Sequence, residues 1–188
     1  AIEAGDKKTG SCIMLMEKGM DTGPILSSKS INIHTSDTSK TIHDKLSNLT
    51  AEMLVKTIKE YIDGKVVPIK QKMDGVKYAE KIVKDEAVIN WSLTSINNFN
   101  KVRAFNPYPR TYTFLYGFKI KIVETKLCKD SHQFKPGTII ECNNKMIVAC
   151  GNKSTLEIKY LQKSGKNIMS VKDFLNGTKI SIGEKFGS

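Results

Sequence analysis

Asp21 stands in the stretch Thr9–Leu26, TGSCIMLMEKGMDTGPIL, as one carboxylate between Gly19 and Gly23, directly after an apolar, strand-like run. A strand ending in a Gly-rich turn lets a polar side chain point into the crevice at the carboxyl end of an open α/β sheet, where such sheets hold reactive groups. A carboxylate in that place is suited to proton transfer. Asp-Thr-Gly also suits an Asx-type turn, so local chemistry leaves a catalytic and a turn-forming reading of Asp21 open. Gly19, Met20, Gly23 and Pro24 surround it in the loop, with the glycines and the proline expected to shape its backbone.

Other chemistry-bearing residues are less organised. Cys12, Cys128, Cys142 and Cys150 show no Cys-x-x-Cys spacing, and His34, His43 and His132 lie far from them in sequence. Reduced thiols in a cytoplasmic compartment are expected, with no structural metal and no cysteine nucleophile. The run KSGK at 163–166 lacks the full spacing of a phosphate-binding P-loop, although Lys163 and Lys166 flank a glycine turn from which they can touch phosphate.

At 188 residues, 39% hydrophobic and 26% charged, the chain can build an ordinary core. Its longest apolar runs, Cys12–Met16 and Met146–Cys150, fall far short of the roughly 20 residues a membrane span needs, so no membrane segment is expected. The opening AIEAGDKKTG has neither an initiator methionine nor the pattern of a signal peptide, and reads as the start of a fragment. Charge divides unevenly. Residues 1–81 carry 13 Lys against 11 acidic residues, a net +2, whereas residues 82–188 carry 15 Lys and 2 Arg against 8, a net +9. A basic excess confined to one region fits a polyanion partner such as nucleic acid; a lysine-rich, simply solvated surface is the competing reading.

The elements that must position these groups follow from periodicity. Thr9–Met16 and Pro24–Ile33 read as two strands joined by the turn that holds Asp21, with Met14 and Met16 expected in the core. After Thr38 and Ser39, the residues Ile42, Leu46, Leu49, Met53, Leu54, Ile58, Tyr61 and Ile62 recur at helical steps, with Gly64 beyond as a cap. Their stripe is expected to face the two strands. Residues 65–81 mix Pro, Gly and polar residues as a linker would. Asn90-Trp91-Ser92 then supplies an N-cap for a short helix that must stop before Pro107 and Pro109. Strands are expected over 111–116, 119–124, 138–141, 146–150, 155–161 and 179–182, with a last helix over 170–175, a set that suits a small closed barrel. Trp91, Phe105 and Tyr108 fit packing of the short helix on that barrel, with stacking on bases as the alternative.

Three segments resemble successive signatures of the bacterial methionyl-tRNA formyltransferase family: TGSCIMLMEKGMDTGPIL, INWSLTSINNFNKVRAFNPYP and LQKSGKNIMSVKDFLNG. Their order and spacing match across nearly the whole chain. The resemblance implies a Rossmann-like catalytic domain, of which residues 1–64 are the carboxyl-terminal part, a linker at 65–81, and an OB-fold-like tRNA-binding barrel at 82–188. It implies formyl transfer from 10-formyltetrahydrofolate to initiator methionyl-tRNA, without metal, by a monomer. Asp21 falls on the family's catalytic aspartate; the Asn-x-His partners of that aspartate lie upstream of the matched region, so residues 1–188 alone are expected to be inactive. His34, His43 and His132 do not fit that pattern. With the resemblance, Arg103, Arg110, Lys119, Lys121, Lys163 and Lys166 become candidate tRNA contacts. Alternatives are a formyltransferase acting on a sugar nucleotide or another small amine, and a non-catalytic OB-type binding module.

Overall fold

The computed structural model describes residues 1–72 and 74–187; Met73, inside the expected linker, and Ser188 lie outside the described residues. The chain forms two compact units, one of Ala1 with Asp6–Lys81 and one of Ile2–Gly5 with Ile82–Ser188.

In the first unit, β1 (Lys8–Met14) and β2 (Ile25–Asn32) pair antiparallel from Lys8 opposite Asn32 to Met14 opposite Ile25. One helix, α1 (Ser39–Ile62), packs on this ribbon. Its start is fixed locally: Thr38 Oγ1 accepts from the Thr41 backbone N–H, and Thr41 Oγ1 accepts in turn from the Thr38 N–H. Gly64 follows its end at φ +71°, a conformation that glycine adopts without strain. Ile42, Met53 and Thr57 are the buried residues of the helix, and Ser11–Thr50 and Ser27–Thr57 hydroxyl pairs at 2.6 and 2.8 Å tie it to both strands. The expected apolar stripe therefore divides. Leu54, Ile58 and Ile62 are exposed, the first two because each is one position past the buried Met53 and Thr57 row, about 100° round the helix. Two strands are too narrow to cover both rows.

Part of the stretch expected as a linker is tied to this unit. Ile69 pairs with Ile25 through two backbone hydrogen bonds of 2.8 and 2.9 Å.

The second unit is mostly β. A 3-10 turn at Lys84–Ala87 precedes α2 (Ser95–Ala104) and then β3 (Thr111–Leu115), β4 (Phe118–Leu127), β5 (Ile139–Glu141), β6 (Met146–Ala149), β7 (Thr155–Lys163), β8 (Ile168–Ser170) and α3 (Val171–Asn176). The strand order is β3-β4-β7-β6-β5, with β8 also on β7, and these strands pair antiparallel with one another. Register shifts around Glu124 bend the long β4, which lets the sheet curl. Instead of closing as a barrel, the sheet ends on β3 and β5. The gap is spanned by the tail: Ile139 N–H donates to Glu184 O, Phe186 N–H to Gly137 O and Gly187 N–H to Phe114 O. Pairing beside β5 thus falls at 183–186 rather than in a strand at 179–182, which has no regular structure.

The core of this unit gathers alternate residues of β4, β6 and β7 with Trp91, Val102, Phe174 and Phe186. Trp91 stacks on Phe186 with centroids 5.6 Å apart and donates from Nε1 to Thr113 Oγ1 at 3.0 Å. Trp91 and Phe105 are buried, so packing is their use; Tyr108 is 70% exposed. The N-cap of α2 is Thr94 rather than Asn90-Trp91-Ser92. Asn90 instead accepts from the Ser92 N–H in an Asx turn one step earlier.

Candidate catalytic loop and nucleic-acid-binding face

Residues 15–24 form the loop between β1 and β2, closed where Leu15 N–H donates to Pro24 O at 3.0 Å. Gly23 is buried, and a Cβ there would collide with the Leu15 carbonyl oxygen; no other residue fits this crossing. Asp21 takes φ +55°, a left-handed conformation that Asp tolerates better than most residues. Its carboxylate is exposed and makes no hydrogen bond or ion pair among the described residues. The loop is held by its backbone instead: Gln71 Nε2 donates to Asp21 O at 2.8 Å and Gly23 O at 2.7 Å. Gln71 was missed by sequence reasoning, since nothing local marks a side chain from the expected linker as a loop clamp.

Gly19 and Met20 are exposed on the loop and Pro24 is half-buried. Met16, expected in the core, is 94% exposed because β1 ends at Met14 and the chain turns out into the loop. Among the described residues no histidine of this unit joins Asp21: His34 gives its backbone N–H to Asp37, and His43 lies exposed beside Asp44. Asp37 is the unit's strongly perturbed acid. Burial raises its carboxyl, but hydrogen bonds from Lys45, the His34 N–H and Thr41 outweigh that and hold it down at about 2.

In the second unit five of the six candidate cations fall into two cavities. Arg110, Lys119 and Lys121 line one of about 320 Å³ together with Lys84, which no local pattern marks because it precedes the capping residues from Asn90 onward. Lys119, Lys163 and Lys166 line the other, of about 380 Å³, whose walls include Phe118 and Phe174. Lys119 belongs to both. The alternation of β4 explains the pairing of Lys119 with Lys121 on one face while Ile120 and Ile122 enter the core. Arg103 is not brought to either cavity; Nε and Nη2 donate to Asn100 Oδ1 on its own helix, and the guanidinium lies over Phe99. Lys163 donates to Thr178 Oγ1 at 2.9 Å, which sets it over the Phe174 ring.

Such an arrangement can hold an anion beside exposed aromatic faces. His132 serves the fold, since Nε2 donates to the carbonyls of Cys150 and Ser154 while Nδ1 accepts from the Phe134 N–H. No group of three or more His, Cys, Asp or Glu residues could hold a metal among the described residues, and no helix is long and apolar enough to cross a membrane.

The family described as formyl transferase, C-terminal domain, matches residues 81–179, and that described as formyl transferase matches residues 1–58. The chain is 42% identical over 179 residues to the methionyl-tRNA formyltransferase of Rickettsia bellii, across 95% of this chain and 57% of that protein. It is 37% identical over 183 residues to the methionyl-tRNA formyltransferase of Caldanaerobacter subterraneus subsp. tengcongensis, across 97% of this chain and 59% of that protein. An N-formyltransferase from Helicobacter canadensis, solved with folinic acid and dTDP-3-aminofucose, shares the fold with a TM-score of 0.68 at 18% identity, across 86% of this chain and 58% of that one. The chain spans little more than half the length of the curated relatives it matches.

Proposed function

The chain belongs to the formyl transferase family, and we propose that it serves the branch that formylates initiator methionyl-tRNA for translation initiation. The observation that carries this reading is the identity of 42% and 37%, over 95% and 97% of the chain, with two methionyl-tRNA formyltransferases. The amino-sugar enzyme is only 18% identical.

In this reading the donor is 10-formyltetrahydrofolate. The methionyl α-ammonium loses a proton, its nitrogen attacks the formyl carbon, and the tetrahedral intermediate collapses as the folate nitrogen leaves and takes a proton. Asp21 has the work of supporting the first proton transfer, directly or through water. Its carboxylate, unengaged among the described residues, on a loop whose backbone Gln71 holds supports that role. Gly19, Met20, Gly23 and Pro24 shape the substrate loop. Residues 1–64 serve as part of the catalytic domain, 65–81 as the connection, and 82–188 as an OB-like module whose cations, Arg103, Arg110, Lys119, Lys121, Lys163 and Lys166, hold tRNA. The protein works in the cytoplasm as a monomer without metal.

The test joins residues 1–188 to the portion of the Rickettsia bellii enzyme that this chain does not span and measures formyl transfer to charged initiator tRNA. Transfer to that tRNA is expected, falling by roughly 10²–10⁴ in Asp21→Asn, the range for loss of a general acid–base group. Asparagine keeps the φ that Asp21 needs, so the loop survives. Undiminished transfer in Asp21→Asn removes the role, and faster transfer to a dTDP-linked amino sugar than to tRNA overturns the assignment.

A further inference from the structure

Arg110 combines a strained backbone with an unsatisfied side chain. It sits at φ +65°, where a residue with a Cβ is uncommon and glycine is at ease. Its N–H is fixed to Phe105 O at 2.9 Å and its Nη1 to Gln162 Oε1 at 3.0 Å. Nε is buried with no hydrogen-bond partner among the described residues. Nη1 is spent on the neutral Gln162, so the guanidinium charge stands at the cavity wall with no carboxylate paired to it among the described residues.

The cavity of about 320 Å³ beside it brings in Lys84, Lys119 and Lys121. No carboxylate is among its lining residues, and none of the ion pairs among the described residues uses these four cations. Lys119 Nζ rests over the Tyr112 ring at 3.3 Å from the centroid, a π face in place of a counter-ion. Four like charges around one cavity repel, and an anion relieves that repulsion. Tyr108, also lining the cavity, is 70% exposed and offers a ring on which a neighbouring base can stack.

We propose that this cavity is the seat of one backbone phosphodiester of the bound nucleic acid, held by the unpaired charges of Arg110, Lys84, Lys119 and Lys121. The proposal rests on the tRNA reading above. It makes Arg110 a binding residue whose backbone strain is kept for the side chain it presents.

Arg110→Gly is the test variant, because glycine suits φ +65° and the fold should persist. Binding of an uncharged initiator tRNA transcript to the 188-residue chain is measured at several salt concentrations, and inorganic phosphate is titrated separately while amide resonances are followed. The parent chain should bind tRNA, with phosphate shifting the amides of Arg110, Lys119 and Lys121. Arg110→Gly should bind about tenfold more weakly, with a salt slope shallower by about one, and lose the phosphate response. Lys121→Ala, a half-exposed strand position, should lower the slope in the same way and keeps the test alive should the glycine variant misfold. Unchanged affinity and slope in both variants overturn the proposal. A phosphate response without any change in tRNA slope also overturns it, by making the cavity a site for free anions. Failure of the parent to bind tRNA, with the phosphate response intact, overturns the proposal, while the tRNA reading itself is decided separately by formyl transfer in the joined protein described above.

Discussion

Gln71 donates from its side-chain amide to the backbone carbonyl of Asp21 across 2.8 Å, joining residues 50 positions apart, and the same nitrogen reaches Gly23 O at 2.7 Å. One side chain thereby holds the loop on both sides of Thr22 while leaving the Asp21 carboxylate unengaged. Replacing Gln71 by Ala leaves two carbonyls without this donor, the exposed one of Asp21 and the part-buried one of Gly23, a loss of about 1–3 kcal/mol carried mainly by the second. Amide exchange of Met20–Gly23 should then quicken by about tenfold or more, with the β1–β2 ribbon unchanged. Exchange at the parent rate would mean that the loop is held by something other than Gln71.

Asp37 gives the first unit an acid limit. It is 3% exposed and its carboxyl titrates at about 2, below the ordinary carboxylate range, so the folded state favours the ionised form. The stability this provides is present above about pH 4, where the unfolded carboxyl is also ionised, and drains away as pH falls toward 2. It amounts to about 2 kcal/mol by proton linkage. Denaturant unfolding of the parent should weaken across that window, whereas Asp37→Asn should be less stable at neutral pH and lose most of the slope between pH 4 and 2. A parallel pair of pH curves would show that Asp37 carries none of it.

The four thiols should separate by reactivity. Cys12 is exposed on β1, while Cys150 is fully buried, and burial pushes its thiol up to about 12. The thiolate is the nucleophile, so an alkylating reagent at neutral pH should label Cys12 first and Cys150 only on unfolding, as read by mass spectrometry of peptides. Burial also raises Cys128 and Cys142, which should react between these limits. Early labelling of Cys150 would mean that β6 opens readily.

How far these features were legible depends on the distance over which each is determined. The start of α1 was readable because Thr38 and Thr41 cap it within one turn, and its end because Gly64 follows. The β1–β2 ribbon and most strands of the second unit were readable from short apolar runs between turn residues. Which row of α1 is buried was not, since it depends on the width of the sheet below it. Nor was β8, a three-residue strand that exists by pairing with β7. Asp21 and the cations that line the two cavities, Lys84 aside, stood out from local pattern and charge. Gln71 and Lys84 did not, because each acts through contacts remote in sequence.

Phe186 closes the second unit from the wrong end of the chain to be foreseen. It is 1% exposed, stacks on Trp91 and sits where the tail bridges Gly137 on one side and Phe114 on the other. Its ring fills the core between the two edges that the strands leave unpaired, so the tail's hydrogen bonds to Gly137, Ile139 and Phe114 depend on its being seated. Phe186→Ala should cost about 3–5 kcal/mol, the loss of a buried aromatic plus the cavity it leaves. Phe186→Leu, which keeps most of the apolar volume and forfeits the stacking, should cost less. Amide exchange separates this from a simple loss of core: the N–H groups of Ile139, Phe186 and Gly187 should lose protection in Phe186→Ala well before those of β4 and β7, whose partners lie inside the sheet. Equal loss of protection across all strands would mean that the tail does not close the sheet but merely shares in its core.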